Sequence, residues 1–331
     1  MTNKVRRIFA LILTLLLIFS LFGCKKEADG TTTETQAVTL KEYDRQESID
    51  RVRAGEFEIG MHSTFAAVSG GRLYYRTALG IEYVSLEGGT AKLLYESDNV
   101  GYLYQSGGSV YFFHKDSVFK INGDECEKIF DKHSIKDDSV SFDAISDFAL
   151  SPTRLYVKSG PTLIEFRHDL RTVTKVYKDV GRFAIKGNDM LIVGADNSET
   201  LRHLRVDKQK YSDGVINLSV VFEGIYGFEG GFVVQTKTNK LYYIKQWYVL
   251  PKSVSLPSNT SEIRVLKDGE KLYAAVRTGS DFSLYAIDEN GTSALKAEGI
   301  NAESAGNLSV AGGTLYYISR ESGKITSQPL D

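Results

Sequence analysis

Two cysteines, five histidines and one aspartate-rich stretch carry most of the reactive chemistry in this chain of 331 residues. The stretch is 131–147, with Asp137, Asp138, Asp143 and Asp147. Four carboxylates can offer hard oxygen ligands to a divalent cation. Their spacing matches no calcium loop, and Lys132 and Lys136 sit among them, so the stretch reads as a solvated insertion and a candidate binding-face loop. The histidines at 62, 114, 133, 168 and 203 are scattered and lack the spacing of a metal site. No nucleophile elbow, phosphate-binding loop, zincin helix or paired Cys-x-x-Cys occurs. Cys126 has no histidine near it in sequence and reads as a strand-borne, partly buried thiol. Trp247 and Tyr248, close to Tyr242 and Tyr243, offer either a stacking platform for a sugar ring or apolar packing; packing is the expectation. No catalytic residue, metal or cofactor is assigned.

The other cysteine has a distinct setting. Lys4, Arg6 and Arg7 precede an apolar run from Ile8 to Phe22, broken only by Thr14 and Ser20. The run is too short for a span of about 20 residues and suits a signal-peptide core. It ends in Leu21-Phe22-Gly23-Cys24, followed by two lysines. This resembles the lipobox of bacterial lipoproteins, with Phe22 where a small residue is usual. The resemblance implies that Cys24 carries a thioether-linked diacylglycerol and that residues 1–23 are removed. Two acyl chains give the stable membrane retention that one does not.

Charge adds little to that anchor. The chain carries 40 basic and 42 acidic residues, which excludes a strongly basic nucleic-acid binder. Loss of residues 1–23 removes three basic groups and no acidic ones, leaving 37 against 42, a net of −5. With Cys24 acylated, Cys126 has no intramolecular partner, so no disulfide is expected. Residues 24–53 read as a polar tether, Thr-rich at its start; Thr39 and Glu42 fit a capping box for a short helix.

From about residue 54 the chain repeats. SGGRLYYRT (69–77), SGGSVYFFH (106–114), EGGFVVQTK (229–237) and AGGTLYYIS (311–319) show the unit most plainly. Aligned on Leu73, Val110, Leu155, Leu191, Phe232, Leu272 and Leu315, seven copies lie 37, 45, 36, 41, 40 and 43 residues apart. Each copy holds a short apolar strand, a turn, an aromatic strand, a third strand and usually a fourth. Four strands per repeat of about 40 residues is the pattern of a β-propeller blade. The expected fold is therefore all-β: one propeller over 54–331 with seven four-stranded blades. The seventh copy lacks a fourth strand, and repeat alignment lays 54–60 over that place, so an N-terminal strand is expected to close the ring.

The G-G-x-L-Y-Y form is similar to Tyr-rich repeats of bacterial extracytoplasmic proteins that resemble the propeller of low-density-lipoprotein-receptor-related proteins. It also distantly resembles the TolB-type propeller. The YWTD tetrad is absent, and so are the Trp-rich repeats of outer-membrane assembly propellers. Together these features suggest a non-catalytic, membrane-tethered scaffold that binds an envelope protein or glycan, not nucleic acid. The expected location is the extracytoplasmic face of a Gram-positive-type membrane. The alternative is a glycan-directed hydrolase or lyase, which requires convergent carboxylates at the channel mouth.

Overall fold

The computed structural model describes residues 41–43 and 63–330, except 78, 98–99, 136–139, 141, 152, 168–171, 208–209, 218 and 247–248. Its strands form seven antiparallel sheets of four strands each, a seven-bladed β-propeller. Six blades are continuous in sequence: 66–96, 100–131, 147–177, 182–217, 222–253 and 262–300. The seventh runs from Leu308 to Pro329 in three strands, and Lys41–Tyr43 supplies its fourth.

Burial falls from the inside of each blade outwards. Second strands such as Arg154–Ser159 and Gly231–Thr236 are buried on both faces, because each lies between neighbouring sheets. Such strands read as near-continuous apolar runs rather than alternating ones. The outer strand Lys92–Glu96 has only adjacent sheet on one side and solvent on the other, and no residue in it is fully buried. All seven alignment positions, from Leu73 to Leu315, fall on second strands and are buried.

Seven apolar clusters fill the wedges, each shared by two adjacent blades. Phe112 stacks on Phe119 at 5.0 Å in the wedge between blades 1 and 2, for example. The cluster of Leu73, Tyr75, Tyr316 and Ile318 joins blade 7 to blade 1 and shuts the ring. A polar clasp accompanies it: Ser309 Oγ accepts from Phe65 N–H (3.1 Å) and Ala66 N–H (3.0 Å).

The closing strand is not the one expected from repeat alignment. Lys41, Glu42 and Tyr43 pair with Ser327, Thr326 and Ile325 of the third strand, occupying the edge assigned to 54–60. Residues 54–60 themselves lie outside the described residues, as do 1–23 and Cys24. The strand Lys41–Tyr43 falls inside the segment read as tether or short helix. An outer strand is held through one backbone edge only, so repeat spacing finds the vacant place without naming the segment that fills it.

Glycine pairs make the sharpest turns between inner and second strands. Gly70 and Gly71 have φ of 57° and 73°, and Gly312 and Gly313 have 59° and 73°. Positive φ at both central residues gives the turn whose twist matches a hairpin. At the last turn, both amides also donate to the Asp268 carboxylate of blade 6, at 3.0 and 2.8 Å.

Candidate functional site at the channel mouth

Inner strands run down the central channel, so their first residues ring one mouth. On this face the outer strand of each blade connects to the inner strand of the next, and second strands connect to third strands. Asp147 opens the inner strand of blade 3 and Arg182 that of blade 4, while Glu223 and Arg264 lie near the starts in blades 5 and 6. These four charged groups act on one buried hydroxyl, that of Tyr226 in blade 5. Burial pushes the Tyr226 hydroxyl above its usual pKa; Arg264 and Arg182 oppose the shift and Glu223 and Asp147 add to it. The hydroxyl therefore stays protonated at neutral pH and donates to Gln235 Oε1 (3.2 Å), whose amide donates on to Ile263 C=O (3.2 Å). Arg264 Nη2 reaches the Ser63 carbonyl (3.0 Å), tying blade 6 to the approach to blade 1.

Beside this cluster, a cleft of about 300 Å³ opens between blades 4 and 5. Gly181, Arg182, Gly194, Ser198, Val221 and Lys237 are among its lining residues. Asp179 builds the rim. It adopts φ 56°, accepts from Asp196 N–H (2.9 Å) and pairs with Arg202 (3.2 Å). Gly181 and Gly194 allow the two loops to meet: a Cβ on Gly181 would lie 2.8 Å from the Gly194 carbonyl oxygen. Arg182 is braced by the carbonyls of Glu223 and Gly181, both at 3.3 Å. Val221 is 39% exposed and Lys237 and the lining carboxylate Glu223 are exposed, so the cleft offers charges of both signs beside a small apolar surface. That combination suits a polar, charged peptide segment.

Of the four aspartates singled out in sequence, Asp137 and Asp138 lie outside the described residues. Asp143 is exposed, and its N–H donates to Ser159 Oγ (2.9 Å). Asp147 is buried, accepts from Phe148 N–H (2.9 Å) and joins the mouth cluster. Arg182, Glu223 and Arg264 were not legible as a site, since each stands about 40 residues from the next and only the ring brings them together. Among the described residues, no three His, Cys, Asp or Glu side chains converge as a metal site.

The other singled-out residues have structural partners. His203 is buried against Asp189 Oδ1 (2.7 Å), and His114 meets Tyr95 and Ser97. Tyr243 donates to Gly230 C=O (2.8 Å) within blade 5 and to Glu289 C=O (2.5 Å) beside blade 6, and its ring joins the apolar cluster that the two blades share, as inter-blade packing requires. Trp247 and Tyr248 lie outside the described residues. Cys126 is half-buried, and desolvation pushes its thiol up to about 11. Two buried carboxylates, Glu82 and Glu165, face tyrosines within their own blades rather than the mouth. No described helix is long and apolar enough to cross a membrane.

No protein-family model and no curated protein sequence matches the chain. Solved structures match in fold. BamB from Moraxella catarrhalis superposes with a TM-score of 0.51 at 11% identity, over 81% of this chain and 85% of that one. BBS1N, crystallised in complex with ARL6DN, gives 0.57 at 13% identity over 86% and 98%. PorZ, a surface component of the type-IX secretion system of Porphyromonas gingivalis, gives 0.55 at 11% identity over 83% of this chain. The chain spans 39% of PorZ's length. These likenesses concern the fold alone; the seven blades are those of this chain's own sheets.

Proposed function

We propose that the protein is an extracytoplasmic lipoprotein, held by a diacylglycerol on Cys24, whose propeller binds a protein partner at the channel mouth. The observation that carries the binding role is the mouth itself. The charges of Asp147, Arg182, Glu223 and Arg264, placed at or near the starts of the inner strands of four consecutive blades, are all felt at the buried Tyr226 hydroxyl, beside a rigid-rimmed cleft lined by Arg182, Glu223, Lys237 and exposed Val221. A closed ring holds these groups in place before binding, which lowers the ordering cost of recognition. Two observations on other propellers agree: BBS1N was crystallised with ARL6DN, and Nup159 with Dbp5. The anchor rests on the residues from Lys4 to Cys24. The 16 residues between Cys24 and Lys41 reach at most about 60 Å when extended, enough to lift a propeller clear of lipid headgroups. The outer face of a Gram-positive-type membrane is the proposed location.

Each half has its own test. Mass spectrometry of the mature N-terminus is expected to find a chain starting at Cys24 and carrying a diacylglyceryl group. A mature chain that retains residues 1–23 contradicts the anchor. For the binding role, a folded Arg182→Glu/Lys237→Glu variant is expected to lose the protein captured by the parent chain. Unchanged capture contradicts the mouth as the binding site.

A further inference from the structure

The face opposite the mouth carries the turns from inner to second strands and from third to outer strands. On that face a groove of about 390 Å³ is lined by residues of blades 5 and 6 and by Leu330, just past the last strand of blade 7. Ligand pockets span roughly 300–1,000 Å³, so this one has room for side chains rather than a large molecule. Its floor is apolar: Phe228, Leu272, Tyr273 and Ile287 line it and are buried. The walls are fixed before anything binds. Glu229 N–H donates to Glu270 C=O (3.1 Å), joining the hairpin turns of blades 5 and 6. Gly230 lies so close to the next turn that an added Cβ would be 2.5 Å from Glu289 Cα.

Two independent features mark what the groove accepts. The first is its rim, where the exposed carboxylates of Glu229, Glu270, Asp288 and Glu289 stand against the ammonium groups of Lys271 and Lys296. Asp288 caps its own turn, accepting from Asn290 and Thr292 N–H, both at 2.8 Å. The carboxylates of Glu229, Glu270 and Glu289 have no partner among the described residues. Of the two cations, Lys271 stands opposite Asp268 in the sheet register, and Lys296 has an interaction of its own. The second feature is Tyr273. It is only 5% exposed and lines the groove, yet its hydroxyl has no hydrogen-bond partner among the described residues. Buried hydroxyls are normally paired, so this one is placed for a polar group entering the groove. Free carboxylates over an apolar floor suit an arginine, whose stem packs on the floor while its guanidinium forks to the acids.

We infer that this groove is a second docking surface, which takes an arginine side chain of a partner protein. The stem lies on Phe228 and Leu272, the guanidinium donates to the free carboxylates, and Tyr273 Oη accepts a remaining N–H. The groove lies on the face away from the mouth and depends on neither the mouth site nor the lipid anchor.

The test uses the full chain in detergent micelles and a capped peptide in which arginine sits between a photoreactive benzoylphenylalanine and a leucine. A second peptide carries citrulline, a neutral isostere, in place of the arginine. The expected result is adducts that map by mass spectrometry to residues 228–230, 270–273 or 286–296, with about tenfold fewer from the citrulline peptide. A Glu229→Gln/Glu270→Gln/Glu289→Gln variant is expected to lose the preference for arginine, and Tyr273→Phe to reduce the adducts several-fold at an unchanged melting temperature. Arg182→Glu/Lys237→Glu, at the mouth, is expected to leave them unchanged, which separates the groove from the proposed mouth site. Equal adducts from the two peptides, or adducts that map elsewhere, overturn the inference, and that comparison needs no variant. Displacement of the arginine peptide by phosphatidylethanolamine added to the micelles also overturns it, since the cation held there is then a lipid ammonium.

Discussion

Glu165 shows how a propeller with so much apolar packing accommodates a charge. Its carboxylate is wholly buried in blade 3, where it accepts from Tyr177 and Thr174, both at 2.7 Å, and forms an ion pair with Arg154. Removing one partner of such a pair strands the other in a medium that cannot solvate it. Glu165→Ala is therefore expected to lower unfolding stability by about 3–5 kcal/mol in denaturant titration. A change below about 1 kcal/mol would mean that water reaches Arg154. Cys126 is the opposite case, a neutral group kept neutral. Burial raises its thiol to about 11, so the folded state holds the proton through the range where an unfolded cysteine loses it. Its contribution to stability is complete below the ordinary thiol pKa and is lost as pH rises towards the folded value. At pH 8, alkylation of Cys126 is expected to run about 100-fold slower than in the denatured chain, since the thiolate is the nucleophile. Equal rates, read by mass spectrometry of the Cys126 peptide, contradict the burial.

At the scale of the element, two glycines separate packing from backbone conformation. Gly227, on the inner strand of blade 5, faces blade 4 so closely that an added Cβ would lie 2.6 Å from the Ile185 carbonyl oxygen. Backbone cannot give way as a side-chain tip does, so Gly227→Ala is expected to cost about 1–3 kcal/mol by prising the two inner strands apart. Gly70 has open space around its missing Cβ but a φ of 57°. Gly70→Ala is expected to cost only about 1–2 kcal/mol, the left-handed penalty alone, and Gly70→Asn less still. Calorimetry of the three variants separates the two causes: a loss for Gly227→Ala no larger than that for Gly70→Asn would contradict the close approach of the two inner strands. The same contrast explains what was legible beforehand. Leu73, Val110 and their counterparts recur because every second strand is buried on both faces. Lys41–Tyr43 carries no such pattern, since an outer strand needs free backbone groups more than particular side chains.

For the whole molecule, closure is the main structural commitment. Lys41–Tyr43 covers an edge that would otherwise present unpaired N–H and C=O groups. A chain beginning at residue 44 is expected to melt several degrees lower and to associate through blade 7; an unchanged melting transition would show that the cluster of Leu73, Tyr75 and Tyr316 closes the ring unaided. Ring closure also made most of the candidate site illegible in sequence. Asp147 stood out through its loop, but Arg182, Glu223 and Arg264 become neighbours only when blades 3 to 6 stand side by side. Such a mouth is suited to recognition by a protein partner, and that is the central claim. It is tested most directly by photo-crosslinking in living cells, with a photoreactive residue at Val221 beside the mouth or at Leu93 on the outer edge of blade 1, and with Cys24→Ser as the unanchored control. A discrete protein adduct from Val221, absent from Leu93 and lost in the control, is the expected result. The same adducts from both positions, or none from Val221, would contradict a scaffold that binds at its mouth.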